Sequence, residues 1–102
     1  LPRRKIDTIN HERAAFFDSQ VEAPWADTPY GQAENSKLER LFAQCGSLAG
    51  CAVLETGCGT GRLTELLSRQ VGPIGFVHAC DISRRMVQKA QERLMGYLLK
   101  AS

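Results

Sequence analysis

Residues 53–61 read Val53-Leu54-Glu55-Thr56-Gly57-Cys58-Gly59-Thr60-Gly61, an apolar run ending in an acid and followed by glycine at every second position. The run Cys51-Ala52-Val53-Leu54-Glu55 is too short for a helix and predicts a buried strand over 51–55. Beyond the glycines, Leu63, Leu66 and Leu67 repeat at helical spacing as far as Val71-Gly72-Pro73. That pattern predicts a helix over about 61–70, capped in the left-handed region by Gly72 and ended by Pro73. A glycine turn leading from a strand into a helix lets backbone approach a ligand, and the helix N-terminus presents unpaired N–H groups to it. The arrangement is a nucleotide-type pocket.

The pattern extends in both directions from this core. Downstream, Gly75-Phe76-Val77-His78-Ala79-Cys80 predicts a second strand over 76–80, ended by Asp81, with Ser83 as the N-cap of a third helix. Val87, Ala90, Leu94, Tyr97 and Leu98 line one face of that helix, and Arg84, Arg85, Lys89, Gln91 and Glu92 take the other. Upstream, Ser36-x-x-Glu39 is a capping box, and Leu38, Leu41, Phe42 and Cys45 fall on one helical face before Gly46; a helix is expected over 37–45. Asn10 to Ser19 predicts a short helix, and Pro24, Pro29, Tyr30 and Gly31 a breaker-rich connector. Strands separated by a helix of this length pair in parallel, so the chain is read as α/β, a βαβα unit behind a helical lead-in.

The glycines do not fit a dinucleotide fingerprint. Counting from Gly57, the third glycine of Gly-x-Gly-x-x-Gly falls at Arg62, and Glu55 places a negative charge where a phosphate would lie. An NAD-dependent oxidoreductase is therefore disfavoured, and a ligand with a positive end is favoured. The run 53–61, then Gly72-Pro73-x-Gly75-x-Val77, then Asp81-Ile82-Ser83-x-x-Met86, resembles the first two motifs of class I S-adenosylmethionine-dependent methyltransferases. The resemblance implies S-adenosyl-L-methionine as cofactor in a Rossmann-like fold. It implies that Glu55 meets the methionine amino group, that the loop Thr56, Gly57, Cys58, Gly59 to Gly61 cradles methionine and ribose, and that Asp81 accepts from both ribose hydroxyls. Ile82 would pack against adenine, with Met86 either beside the site or in the core. The lead-in Arg13-x-x-Phe16-Phe17-Asp18 with Trp25 is similar to family segments that fold over the cofactor, which divides the chain into a lid-like lead-in, 1–35, and a cofactor-binding unit, 36–102.

The 102 residues are the size of one folding unit. Thirteen Lys and Arg against eleven Asp and Glu, mostly scattered, demand neither nucleic acid nor a membrane surface. No window is long and apolar enough to span a bilayer, and the polar N-terminus shows no secretory signal, so the expected location is cytoplasmic. Cys45, Cys51, Cys58 and Cys80 lack metal-ligand spacing and are expected as free thiols, with Cys51 and Cys80 as small hydrophobes within strands. No metal site, no general base and no role for His11 or His78 follows from the residues. The family fold has seven strands and two are expected here, which suggests an incomplete domain, inactive alone, whose free strand edges favour self-association. The acceptor leans weakly toward small molecules, quinones or lipids. A non-catalytic ligand-binding or interaction module derived from the same fold is the alternative.

Overall fold

The computed structural model describes residues 3–101, with side chains described for 7–96. Helix α1 (Arg3–Ser19), α2 (Pro24–Asp27) and α3 (Gln32–Cys45) lead into strand β1 (Ala52–Thr56), helix α4 (Arg62–Val71), strand β2 (Phe76–Cys80) and helix α5 (Arg84–Ala101). The strands pair in parallel from Ala52↔Phe76 to Thr56↔Cys80, and α4 lies against both. This is the expected βαβα order.

Four local readings need correction. Helix α1 begins at Arg3, seven residues before Asn10, and is no short helix, because the residues from Arg3 to Ile9 contain neither Gly nor Pro to stop it. The connector contains a helical turn, α2, because Pro24 stands at its first position, where a missing N–H costs nothing and the fixed φ suits a helix. Helix α3 starts five residues before 37, with extended Gly31 as N-cap and its first bond from Asn35 N–H to the Gly31 carbonyl (3.0 Å). Gln32, Ala33 and Glu34 are good helix formers, so the Ser36/Glu39 pair falls inside the helix and caps nothing. Gly72 ends α4 with positive φ, but its ψ of −167° is extended rather than left-handed helical.

The strands also differ from the buried pair expected. Burial alternates along them, and Ala52, Leu54 and Thr56 of β1 share one exposed face with Phe76, His78 and Cys80 of β2. Leu54 is 68% exposed and Phe76 60%. The physical reason is that α4 covers one face of a two-stranded sheet, and among the described residues nothing covers the other. Cys80 is exposed for the same reason, Cys51 is exposed just before β1 begins, and all four cysteines are free. The stripe Leu38, Leu41, Phe42 and Cys45 on α3 is likewise not buried. Tyr97 and Leu98 of the α5 stripe lie outside the described side chains.

The core sits instead between the lead-in and α5, where Val21, Ala26 and Met86 pack with Phe17. The end of α1 is fastened to the start of α5. Ser83 Oγ donates to Asp18 Oδ1 (2.5 Å) and accepts from Met86 N–H (3.1 Å), so Ser83 is the N-cap read from the sequence. Arg85 donates its backbone N–H to Asp18 Oδ1 (3.3 Å) and Nη1 to the Asp18 carbonyl (2.8 Å).

Candidate functional site

The carboxyl ends of both strands and the lead-in enclose an open cavity of about 750 Å³. Each of Glu55, Thr56, Gly57, Cys58, Gly59, Asp81, Ile82 and Met86 lines it. Gly61 does not; it lies against α5, where a Cβ would stand 3.0 Å from the Ala90 Cβ, and its φ of +86° is one that L side chains rarely adopt. Met86 is 2% exposed and belongs to the core while forming the cavity floor.

Asp81 shapes the loop before any ligand arrives. Its Oδ2 accepts from Gly59 N–H (2.9 Å) and its Oδ1 from Ser83 N–H (2.8 Å), so one carboxylate ties the glycine loop to the start of α5. Gly59 meets it with φ +55°, and a Cβ there would touch nothing within 4 Å. Each carboxylate oxygen has two lone pairs, which leaves Asp81 able to accept from a diol as well.

Glu55 is buried, and its Oε1 accepts from Thr64 Oγ1 (2.5 Å). Burial pushes its pKa up, and the Thr64 hydroxyl offsets part of that rise. Among the described residues the ion pairs are Arg69–Glu65, Arg93–Asp27 and Arg93–Glu65, none of which involves Glu55 or Asp81. Two acids with no cation in ion-pair contact therefore face one cavity, whose lining also includes Arg13 and Arg62. Burial, and then the charges of Asp81 and Glu55, push the Cys58 thiol up to about 11, so it stays protonated at neutral pH.

The lead-in supplies the opposite wall. Trp25 meets Phe17 edge-on at 6.5 Å between ring centres and donates Nε1–H to Gln20 Oε1 (3.1 Å). Arg62 stacks 4.7 Å over the Tyr30 ring and donates to the Thr28 carbonyl (3.1 Å). The residue that spoils a dinucleotide fingerprint thus holds the connector against α4. His11 lies in a small groove on α1, and His78 on the bare sheet face; neither lines the cavity. Three contributors escaped the sequence reading. Thr60 was read only as part of the loop and not for its bonds to the lead-in and α5, and Thr64 carries no pattern signal, but Arg93 did, since it stands seven residues after Met86 and three after Ala90, on the packed side of α5.

A parallel βαβ unit whose glycine loop opens between two acids is the cofactor-binding part of a Rossmann-like α/β domain. Residues 53–101 match a family described as a methyltransferase domain. The fold is similar to the crystal structure of a SAM-dependent methyltransferase from Aquifex aeolicus, with a TM-score of 0.61 and 30% identity over 81% of this chain and 43% of that one. Among curated relatives, it is 34% identical over 67 residues to the demethylmenaquinone methyltransferase of Lactobacillus johnsonii, covering 66% of this chain and 28% of that protein. It is 30% identical to methyltransferase GfsG of Streptomyces halstedii, over 80% of this chain and 30% of that protein. Residues 53–101 thus match the N-terminal part of an S-adenosylmethionine-dependent methyltransferase domain, and the chain spans under a third of the length of these two curated relatives. No helix among the described residues is long and apolar enough to cross a membrane.

Proposed function

We propose that this protein binds S-adenosyl-L-methionine and serves methyl transfer to a small acceptor of quinone type. The observation that carries the reading is the pair of carboxylates, Glu55 and Asp81, that flank the glycine loop with no cation in ion-pair contact. In this assignment Glu55 takes the ammonium of the methionine and Asp81 the ribose diol. Thr56 to Gly61 follow the ligand's length, Ile82 offers an apolar surface to adenine, and Met86 lies beneath. The cofactor supplies a methyl group already activated by a sulfonium, so the protein's own residues have mainly to orient. Holding nucleophile and methyl carbon in line about 3 Å apart supplies much of the acceleration. Residues 1–35 act as the cover and 36–102 as the cofactor unit, with α3 running across the division. The quinone-type acceptor rests on the names of the demethylmenaquinone methyltransferases among the relatives, and a cytoplasmic location on the four free thiols. Among the described residues β1 and β2 each keep one free edge, which favours self-association, and light scattering would register it as a mass above 11.3 kDa.

Calorimetry tests the cofactor reading. S-adenosylhomocysteine should bind and NAD should not. Asp81→Ala should weaken binding by about 1.5–3 kcal/mol, the range for hydrogen bonds to a charged group. Asp81→Asn, which can keep one loop contact, separates loss of the ligand bond from loss of the loop. Binding of NAD, or no binding of S-adenosylhomocysteine by the native protein, would sink the assignment.

A further inference from the structure

Arg93 touches no part of the cavity, yet both walls of the cavity meet on it. Its Nε donates to the Thr60 carbonyl in the glycine loop (3.1 Å). Its Nη1 reaches Glu65 Oε2 at the start of α4 (3.5 Å), and its Nη2 donates to the Asp27 carbonyl (3.4 Å) and to the Asp27 carboxylate in α2. Thr60 is held from the other side too, since its hydroxyl donates to the Ala26 carbonyl (2.5 Å). Thr60 stands between Gly59, bonded to Asp81, and Gly61, packed on Ala90. Ala26 and Asp27 adjoin Trp25, and Trp25 and Ala26 line the cavity.

We infer that Arg93 is a positioning residue that fixes the glycine loop and the lead-in wall relative to each other, so that ligand affinity depends on a side chain no ligand contacts. A planar guanidinium with five donors in a fixed fork can hold a loop carbonyl and two carboxylates at once; an ammonium cannot present that geometry. Burial by itself would raise the Asp27 pKa, but the hydrogen bond and charge of Arg93 hold it below its ordinary value, so the pair is ionised at neutral pH. The ligand in question is the one proposed above, and the inference rests on that reading for its affinity arm alone.

Trp25 is the only tryptophan and stands two residues from Asp27, so its fluorescence reports the lead-in wall. The experiment combines acrylamide quenching of Trp25 with calorimetric titration of S-adenosylhomocysteine, in the native protein, Arg93→Met, Arg93→Lys, Asp27→Asn and the double variant Arg93→Met/Asp27→Asn. Arg93→Met should weaken binding roughly 3- to 30-fold and raise Trp25 quenching. Arg93→Lys, which keeps charge and stem, should recover part of both. The double variant should lose little more than Arg93→Met alone, because the Asp27 carboxylate acts on the wall through Arg93. Native-like affinity and quenching in Arg93→Met, or a double variant that loses the sum of the single effects, would overturn the inference. If the native protein binds no S-adenosylhomocysteine, the cofactor reading fails instead, and the quenching series still decides whether Arg93 holds the wall.

Discussion

Glu55→Gln should make the unliganded protein melt at a higher temperature at neutral pH and, at the same time, weaken S-adenosylhomocysteine binding about 10- to 100-fold. Burial raises the folded-state pKa of Glu55 above its ordinary value of 4.5. The folded chain therefore binds more protons than the unfolded chain between the two pKa values, and stability falls as pH rises through that window. Above it the full cost of a buried anion persists. Glutamine carries no such cost and can still accept from Thr64, so the stability gap should be absent below pH 4.5 and reach a plateau once Glu55 is ionised. A ligand ammonium reverses the balance, because it turns an uncompensated buried charge into a paired one. Thermal melts of both proteins from pH 4 to 8, with and without saturating ligand, should show the order of melting temperatures invert on ligand addition. A variant that melts lower than the native protein without ligand at pH 7 would show that Glu55 serves the fold rather than the ligand.

The second large effect is expected at Gly75, in the turn between α4 and β2. A Cβ there would lie 2.6 Å from the Val71 Cβ and carbonyl oxygen and 2.7 Å from the Cys51 carbonyl oxygen. Two of those three atoms are backbone, and their hydrogen-bonded neighbours pin them. Gly50 N–H donates to the Val71 carbonyl (2.8 Å) and Phe76 N–H to the Cys51 carbonyl (3.0 Å). The crossover therefore cannot relax without breaking the entry to the sheet. Gly75→Ala should cost about 3–4 kcal/mol, beyond ordinary overpacking because backbone must move. Gly31→Ala is the control. Gly31 has ordinary negative φ and open space around its Cβ position, so that change should fall within about 0.5 kcal/mol. Denaturant melts giving Gly75→Ala the stability of Gly31→Ala would show that the crossover is looser than described.

The glycine loop, its flanking acids and Ser83 were legible because each is a local statement. Turn chemistry, cap chemistry and the spacing between them can be read within a few residues. Element order followed from the same signals, with boundaries displaced where helix-forming residues such as Gln32 to Glu34 lay outside the recognisable box. The assumption that an apolar run is buried was not a local statement, and it failed at Leu54 and Phe76. Apolar character records what a residue would cover, and the covering element has to be present for burial to follow.

The sequence by itself determined the βαβα order, the glycine turn at the end of β1 and the two acids at the strand ends, since hydrophobic period and backbone freedom are properties of short segments. The tertiary structure alone decided that Asp81 holds the loop as well as facing the cavity, that Arg62 stacks on Tyr30, and that Arg93 joins Thr60 to Asp27, partners 33 and 66 residues away. Those are choices among many donors and acceptors that a chain could bring together. The pairing of β1 with β2 brings Asp81 to Gly59, and the packing of the lead-in against α4 and α5 brings Tyr30 to Arg62 and Asp27 to Arg93.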